Sequence, residues 1–96
     1  MKNNRFDVDR DEAEQIAISA LTFLAGSATH LERFFSATGI GLNQLKTTAA
    51  APETLASVLE FLLQDDSLLL MFTSQAHVSP DRIAPAHNIL TNVSFD

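Results

Sequence analysis

Cysteine, tryptophan and tyrosine are all absent from the 96 residues of this sequence. Without cysteine, the chain can form neither disulfides nor thiolate metal sites, so its stability must come from packing. Without tryptophan and tyrosine, it lacks the common aromatic anchors of carbohydrate and nucleobase sites. Of the three large aromatic residues, only phenylalanine remains.

Long apolar runs are also missing. No stretch of about 18 uncharged apolar residues occurs, so we expect no membrane-spanning helix and no membrane partner. The opening residues, MKNNRFDVDRDEAEQ, contain no apolar core, so we expect no secretory signal. Together these two absences favour a cytoplasmic protein.

Positive charge is scarce. Six lysines and arginines face twelve aspartates and glutamates, which gives a net charge of −6. An excess of negative charge repels phosphate backbones, so the composition disfavours nucleic acid as a partner. A basic protein partner, or none, is expected.

What the sequence does contain points to helices. Apolar residues make up 46% of it, and most of them are leucine, alanine, isoleucine and phenylalanine, which favour helices over strands. We predict an all-α fold, a compact bundle of five or six short helices. The segment 52–63 is the expected central helix, because its apolar positions extend most of the way round it.

The length of the chain indicates one domain. We expect a flexible N-terminal arm at residues 1–8, a single helical domain at 9–91 and a C-terminal tail at 92–96. Five phenylalanines are expected in the core: Phe23, Phe34, Phe35, Phe61 and Phe72.

Capping residues predict where the first helices begin and end. Asp9 or Asp11 is suited to start a helix that runs to Ala25, because a carboxylate can accept hydrogen bonds from first-turn amides. Gly26 is expected to end this helix in the left-handed conformation. Ser27 is then suited to cap the second helix.

Two adjacent aspartates, Asp65 and Asp66, separate two strongly apolar runs in LASVLEFLLQDDSLLLMF. Either carboxylate can cap the helix that follows. A general acid–base pair would need a pocket and a second polar group, and the sequence signals neither. We therefore interpret the pair as the corner between two packed helices.

The last helix contains an unusual proline. Ser79 and Pro80 predict its start, as a cap and a first-turn residue. Pro85 would then lie too deep for a free amide, so it should kink the helix or restart it. The residues expected to face inward are Ile83, Ala86, Ile89 and Leu90.

The segment 34–50 is similar to a helix-turn-helix nucleic-acid-binding unit. Gly39 fits the turn glycine, but Phe35 is bulky where such units carry a small residue. Residues 27–66 hold two cations against five acids, whereas a tight binder makes about six to ten phosphate contacts. We prefer two packed helices joined by a glycine turn and keep nucleic-acid binding as an alternative.

Three histidines, His30, His77 and His87, are the remaining candidates for chemistry. They lack the spacing of known metal motifs, although His77 and His87 could converge across a turn. No nucleophile elbow or phosphate-binding loop occurs. We expect no enzyme activity, no catalytic residues, no cofactor and no metal, with a His/carboxylate metal or catalytic site as the alternative.

The chain has a characteristic overall pattern of apolar positions and of short motifs, such as the Thr38-Gly39 turn, Ala51-Pro52 and Gln64-Asp65-Asp66. Three stretches carry it: DEAEQIAISALTFLA, LERFFSATGIGLNQLKTTAAAPETLASVLEFLLQDDSLLLMF and SPDRIAPAHNIL. Together, over about residues 11–90, they resemble a family of small single-domain proteins, found mainly in alphaproteobacteria and catalogued as a domain of unknown function. The resemblance implies an all-helical fold and a bacterial cytoplasmic setting. It supplies no activity and no site residues.

Our leading functional hypothesis is a non-enzymatic protein-interaction or regulatory module, with self-association as a possible mode. Its candidate surfaces are an uncovered apolar patch and the acidic start of the first helix. The acidic residues of that second surface are Asp11, Glu12 and Glu14.

Overall fold

The computed structural model describes residues 8–93 of the chain. Most of the predicted arm and tail, residues 1–7 and 94–96, lies outside the described residues. Val8, which we assigned to the arm, is 7% exposed and packs with the core.

Helices account for nearly all of the described chain. In order they are α1 (Arg10–Ala25), α2 (Ala28–Thr38), α3 (Leu42–Thr48), α4 (Pro52–Leu63), α5 (Asp66–Ala76), one 3-10 turn (Pro80–Arg82) and α6 (Ile83–Val93). No strand occurs between residues 8 and 93, and the predicted all-α fold is confirmed. None of these helices has the length and apolar character that a transmembrane span requires.

Side-chain caps begin three of the helices. Asp9, Ser27 and Asp65 each accept a hydrogen bond from the backbone amide three residues further on, at 2.8, 3.3 and 3.1 Å. Each bond satisfies an amide that has no partner within its helix. The predicted starts of α1, α2 and α5 are therefore confirmed, and Asp65 rather than its neighbour is the cap.

The helix ends differ in backbone conformation. Gly39 ends α2 in the left-handed region, with φ at 77°, and His77 ends α5 there with φ at 58°. Gly26 ends α1 as predicted, but the predicted left-handed conformation was wrong, because Gly26 is right-handed with φ at −75°. Its amide donates to the carbonyls of Thr22 and Phe23, which tightens the last turn of α1 without a left-handed residue.

The last helix restarts, which is one of the two outcomes that its proline predicted. Pro80 opens the 3-10 turn, whereas the Ser79 side chain makes no capping hydrogen bond there, contrary to our expectation. Pro85 falls in the first turn of α6, where an amide has no helical partner. The proline therefore leaves α6 intact, and the helix continues to Val93.

The core is built around α4, as predicted for segment 52–63. This helix packs against α1, α2, α5 and α6, whereas α3 makes few contacts with the other elements. The largest buried side chains are Phe34, Phe72, Leu24, Leu55, Leu59, Leu62, Ile83, Leu90 and Val58. Of the other predicted core phenylalanines, Phe61 is buried, and Phe23 and Phe35 are half-buried against the core.

Candidate functional site

A groove of about 470 Å³ opens between the second half of α1, the first turn of α2 and the second half of α5. The described residues that line it include no aspartate, glutamate, lysine or arginine. They are Ser19, Thr22, Phe23, Gly26, Ser27, His30, Met71, Phe72, Gln75 and Ala76. Its volume falls within the usual range for ligand sites, about 300–1,000 Å³.

The short connection between α1 and α2 brings the parts of this groove together. Only Gly26 and Ser27 separate the two helices, so the first turn of α2 lies close to the last turn of α1. Helix α5 packs against α1. The Phe23 and Phe72 rings, one on each of these helices, lie 5.6 Å apart between centroids.

Three rings form a row along the groove. The His30 imidazole lies 5.5 Å from the Phe23 ring at an interplanar angle of 32°, and the Phe72 ring follows on the other helix. These distances fall within the range for attractive ring pairs, about 4.5–7 Å. Met71 is 53% exposed beside this row. The groove therefore combines an aromatic wall with a flexible thioether side chain.

The imidazole of His30 has no hydrogen-bond partner among the described residues. Its Nδ1 atom is buried, and leaving such an atom unpaired costs about 1–3 kcal/mol. Nε2 makes no hydrogen bond among residues 8–93 either, and His30 lines the groove, so Nε2 is the nitrogen left for a ligand. The backbone amide of His30 donates to Ser27 Oγ, but no residue among 8–93 forms a hydrogen bond with the ring.

A second, smaller cleft of about 240 Å³ lies between the end of α2 and α4. Glu60 lines it and also lies 3.8 Å from the Nε2 atom of His87, which is too long for a hydrogen bond. The Gln64 amide is 3.5 Å from the same carboxyl group. The cleft thus offers one exposed carboxylate with loose polar neighbours.

The three histidines occupy three different helical regions. His30 is in α2, His77 ends α5 and His87 is in α6. Among residues 8–93, no three His, Asp or Glu side chains are close enough to share a metal ion. Of the three, only His30 lines the larger groove.

The predicted acidic interaction face lies on the first two turns of α1, and none of its residues lines the groove. Asp11 is exposed, Glu12 forms an ion pair with Arg82, and Glu14 lies 3.6 Å from Arg10. Two of its three carboxylates are thus already paired within the chain. The role of this face stays a prediction.

The segment 34–50 folds as a helix, a glycine turn and a helix. Arg33 just before it is held by Asp65 at 2.8 Å. Lys46 is the one cation on α3. Few phosphate contacts are therefore available around this turn.

The sequence identifies His30 as a candidate but does not predict the groove, because residues from three separate helices form it. The one sequence signal is the run LLLMF, which is too long for a single buried face, and the structure leaves its Leu70 and Met71 both 53% exposed. Apolar periodicity does not show which of these five adjacent large residues are exposed, because they cannot all lie on one face of a helix.

The fold defines a small all-α domain, and a comparison with protein families identifies the family of the chain. The model of the family described as "Protein of unknown function (DUF3572)" matches residues 10–92. The chain belongs to this family, which confirms the resemblance to a domain of unknown function. Searches of curated proteins and of solved structures found no match.

Proposed function

We propose that this domain is a non-enzymatic protein-interaction module whose groove holds an apolar side chain of a basic segment of a partner protein. The observation that carries this proposal is the groove itself, which is uncharged, walled by Phe23 and Phe72 and bordered by the exposed Met71. Methionine-rimmed apolar grooves adapt well to side chains of peptide ligands. We also propose a bacterial cytoplasmic setting, which the sequence resemblance supports.

Charge favours a basic segment. The net charge is −6, and three of the four cations among residues 8–93 are paired with acids of the same chain. These pairs are Arg10–Glu14, Arg33–Asp65 and Arg82–Glu12. An anionic exterior attracts a basic partner and repels a second copy of itself. We therefore favour a basic partner over self-association.

The chemistry of the lining supports binding over catalysis. His30 is the only histidine, acid or base among the described lining residues. General acid–base and nucleophilic catalysis need a second group that orients or activates the first. The imidazole of His30 makes no hydrogen bond to any residue in 8–93, so none of them acts as that second group.

The test uses two labelled amphipathic peptides with identical apolar positions, one carrying lysines and the other glutamates. We expect fluorescence anisotropy to show binding of the lysine peptide only, with an affinity that falls as salt rises. Met71→Gln and Ser19→Trp, which make the groove polar or fill it, should each weaken binding by about tenfold or more. Leu42→Gln is the matched control.

The control residue is well matched. Leu42 is 50% exposed, against 53% for Met71, but it lies on α3 and does not line the groove. Equal loss of binding in Leu42→Gln would contradict the assignment to the groove. Sedimentation of the peptide-free protein adds a second check: a dimer that Ser19→Trp dissociates would make a second copy the occupant and overturn the proposal.

A further inference from the structure

We infer that the side chain held in this groove is a tyrosine, with its ring against His30 and Phe23, behind which Phe72 is buried, and its hydroxyl bonded to His30 Nε2. This inference rests on the proposed function and specifies the partner residue that the groove accepts. It combines two independent features of the groove, its ring geometry and its unpaired imidazole.

The ring geometry favours a planar aromatic side chain. The spacings of 5.5 and 5.6 Å in the row show rings that already pack in tilted pairs. Another ring entering the groove can continue this pattern, which adds to the gain from apolar burial. The Met71 thioether on the border can contact the edge of such a ring. An aliphatic side chain would gain burial alone.

The imidazole favours a hydroxyl on that ring. A neutral imidazole carries a donor on one nitrogen and an acceptor on the other, and nothing among residues 8–93 fixes which form His30 takes. A phenol hydroxyl both donates and accepts, so it can bond Nε2 in either form. An indole only donates, and a phenyl ring does neither. Tyrosine can therefore bond Nε2 in either form of the imidazole.

The absence of charge in the lining is consistent with this choice. A phenol is neutral near pH 7, because its pKa is about 10. The groove residues near His30 offer hydroxyl and amide groups from Ser19, Thr22 and Gln75, and no carboxylate. A lysine or arginine head would find no counter-charge there, so we place the basic residues of the partner on the flanks of the tyrosine.

The experiment compares three lysine-rich amphipathic peptides that differ only at the central apolar position, which is Tyr, Phe or Leu. We expect Tyr to bind about five- to tenfold tighter than Phe, as one hydrogen bond allows. We expect Phe to bind about two- to tenfold tighter than Leu. In His30→Phe, which keeps a ring beside Phe23 and removes both nitrogens, Tyr and Phe should bind equally.

The outcomes distinguish failure of the proposed interaction module from failure of the tyrosine inference. If no peptide binds, the proposed function fails. If all three bind wild type equally, the interaction module stands and the tyrosine inference fails. An unchanged preference for Tyr in His30→Phe would remove the role of the imidazole.

A measurement on the wild-type protein covers the case in which His30→Phe does not fold. The imidazole nitrogen shifts of His30 can be followed by NMR as peptide is added. We expect the Tyr peptide to move the Nε2 resonance well beyond the change that the Phe peptide causes. Equal shifts with the two peptides would contradict the hydrogen bond.

Discussion

The carboxylate of Asp65 links two helices through separate oxygens. Its Oδ1 atom accepts the Leu68 amide at 3.1 Å and so caps α5, whereas Oδ2 meets the Arg33 guanidinium of α2 at 2.8 Å. The capping bond from Leu68 and then the bond from Arg33 lower the pKa of Asp65 below its ordinary value. Both interactions favour the ionised form of the side chain.

This shift makes a pH-dependent contribution to stability. Because the folded-state pKa of Asp65 lies below its unfolded value, the contribution is present above the ordinary aspartate pKa and is lost as pH falls through the folded-state pKa. We expect Asp65→Asn, which retains a capping side chain, to be less stable than wild type near neutrality. In strong acid the two proteins should converge.

Urea midpoints measured across acidic pH test this expectation. Asp66→Asn is the matched control, because it removes the same charge from an exposed neighbour with no ion pair among residues 8–93. A wild-type and Asp65→Asn difference that stays constant with pH would contradict the linkage. A similar pH dependence in the control would show that net charge alone is responsible.

At the scale of elements, two glycines in one turn have different roles. Gly39 is left-handed with φ at 77°, and Gly41 is extended with φ at −92°, while both have open space for an added methyl group. Gly39→Ala should lower the free energy of unfolding by about 1–2 kcal/mol, because a Cβ is strained in that conformation. Thermal or urea unfolding measures this directly.

Gly41→Ala serves as the comparison within the same turn. It reduces the entropy of the unfolded chain but is a poorer cap for α3, so we expect a change within about 0.5 kcal/mol. Equal losses at the two positions would mean that flexibility of the turn matters, and not the sign of φ at Gly39.

Local chemistry explains which elements could be predicted from sequence. Asp9, Ser27 and Asp65 each stand directly before an apolar periodic run, and a cap needs only its own first turn. The backbone conformation of Gly26 could not be predicted in this way, because it depends on how α1 packs against α2, which is a tertiary property. The restart before Pro85 was one of two outcomes that local rules allowed, and packing of α6 on α1 and α4 selected it.

The groove could not be predicted from local sequence rules either, because it also depends on tertiary packing. Phe23, His30 and Met71 come from three helices and are separated by up to 48 residues, and each taken alone looks like an ordinary core or surface residue. Their association depends on where α5 crosses α1. Sequence patterns fix which face of a helix is buried, but not which faces leave a gap between them.

At the scale of the molecule, stability should be concentrated around α4. Leu59 lies on this helix and is 0% exposed. We expect Leu59→Ala to reduce the free energy of unfolding by about 2–5 kcal/mol, from lost burial and the cavity left behind. For a domain whose total stability is about 5–15 kcal/mol, that is a large fraction.

The comparison is Leu42→Ala, which removes the same atoms from a side chain that is 50% exposed on α3. Its effect should be below about 1 kcal/mol, as for most surface substitutions. Chemical denaturation of both variants gives the ranking. Similar losses would mean that α3 contributes to the core as much as α4 does.

The weak attachment of α3 gives the molecule a convenient site for engineering. This helix has one buried residue, Leu45, and the turn before it, at 39–41, is exposed on both glycines. Exposed turns with few contacts are where foreign segments are best tolerated. A reporter or affinity tag spliced into this turn should leave the groove accessible, because the turn lies outside its lining.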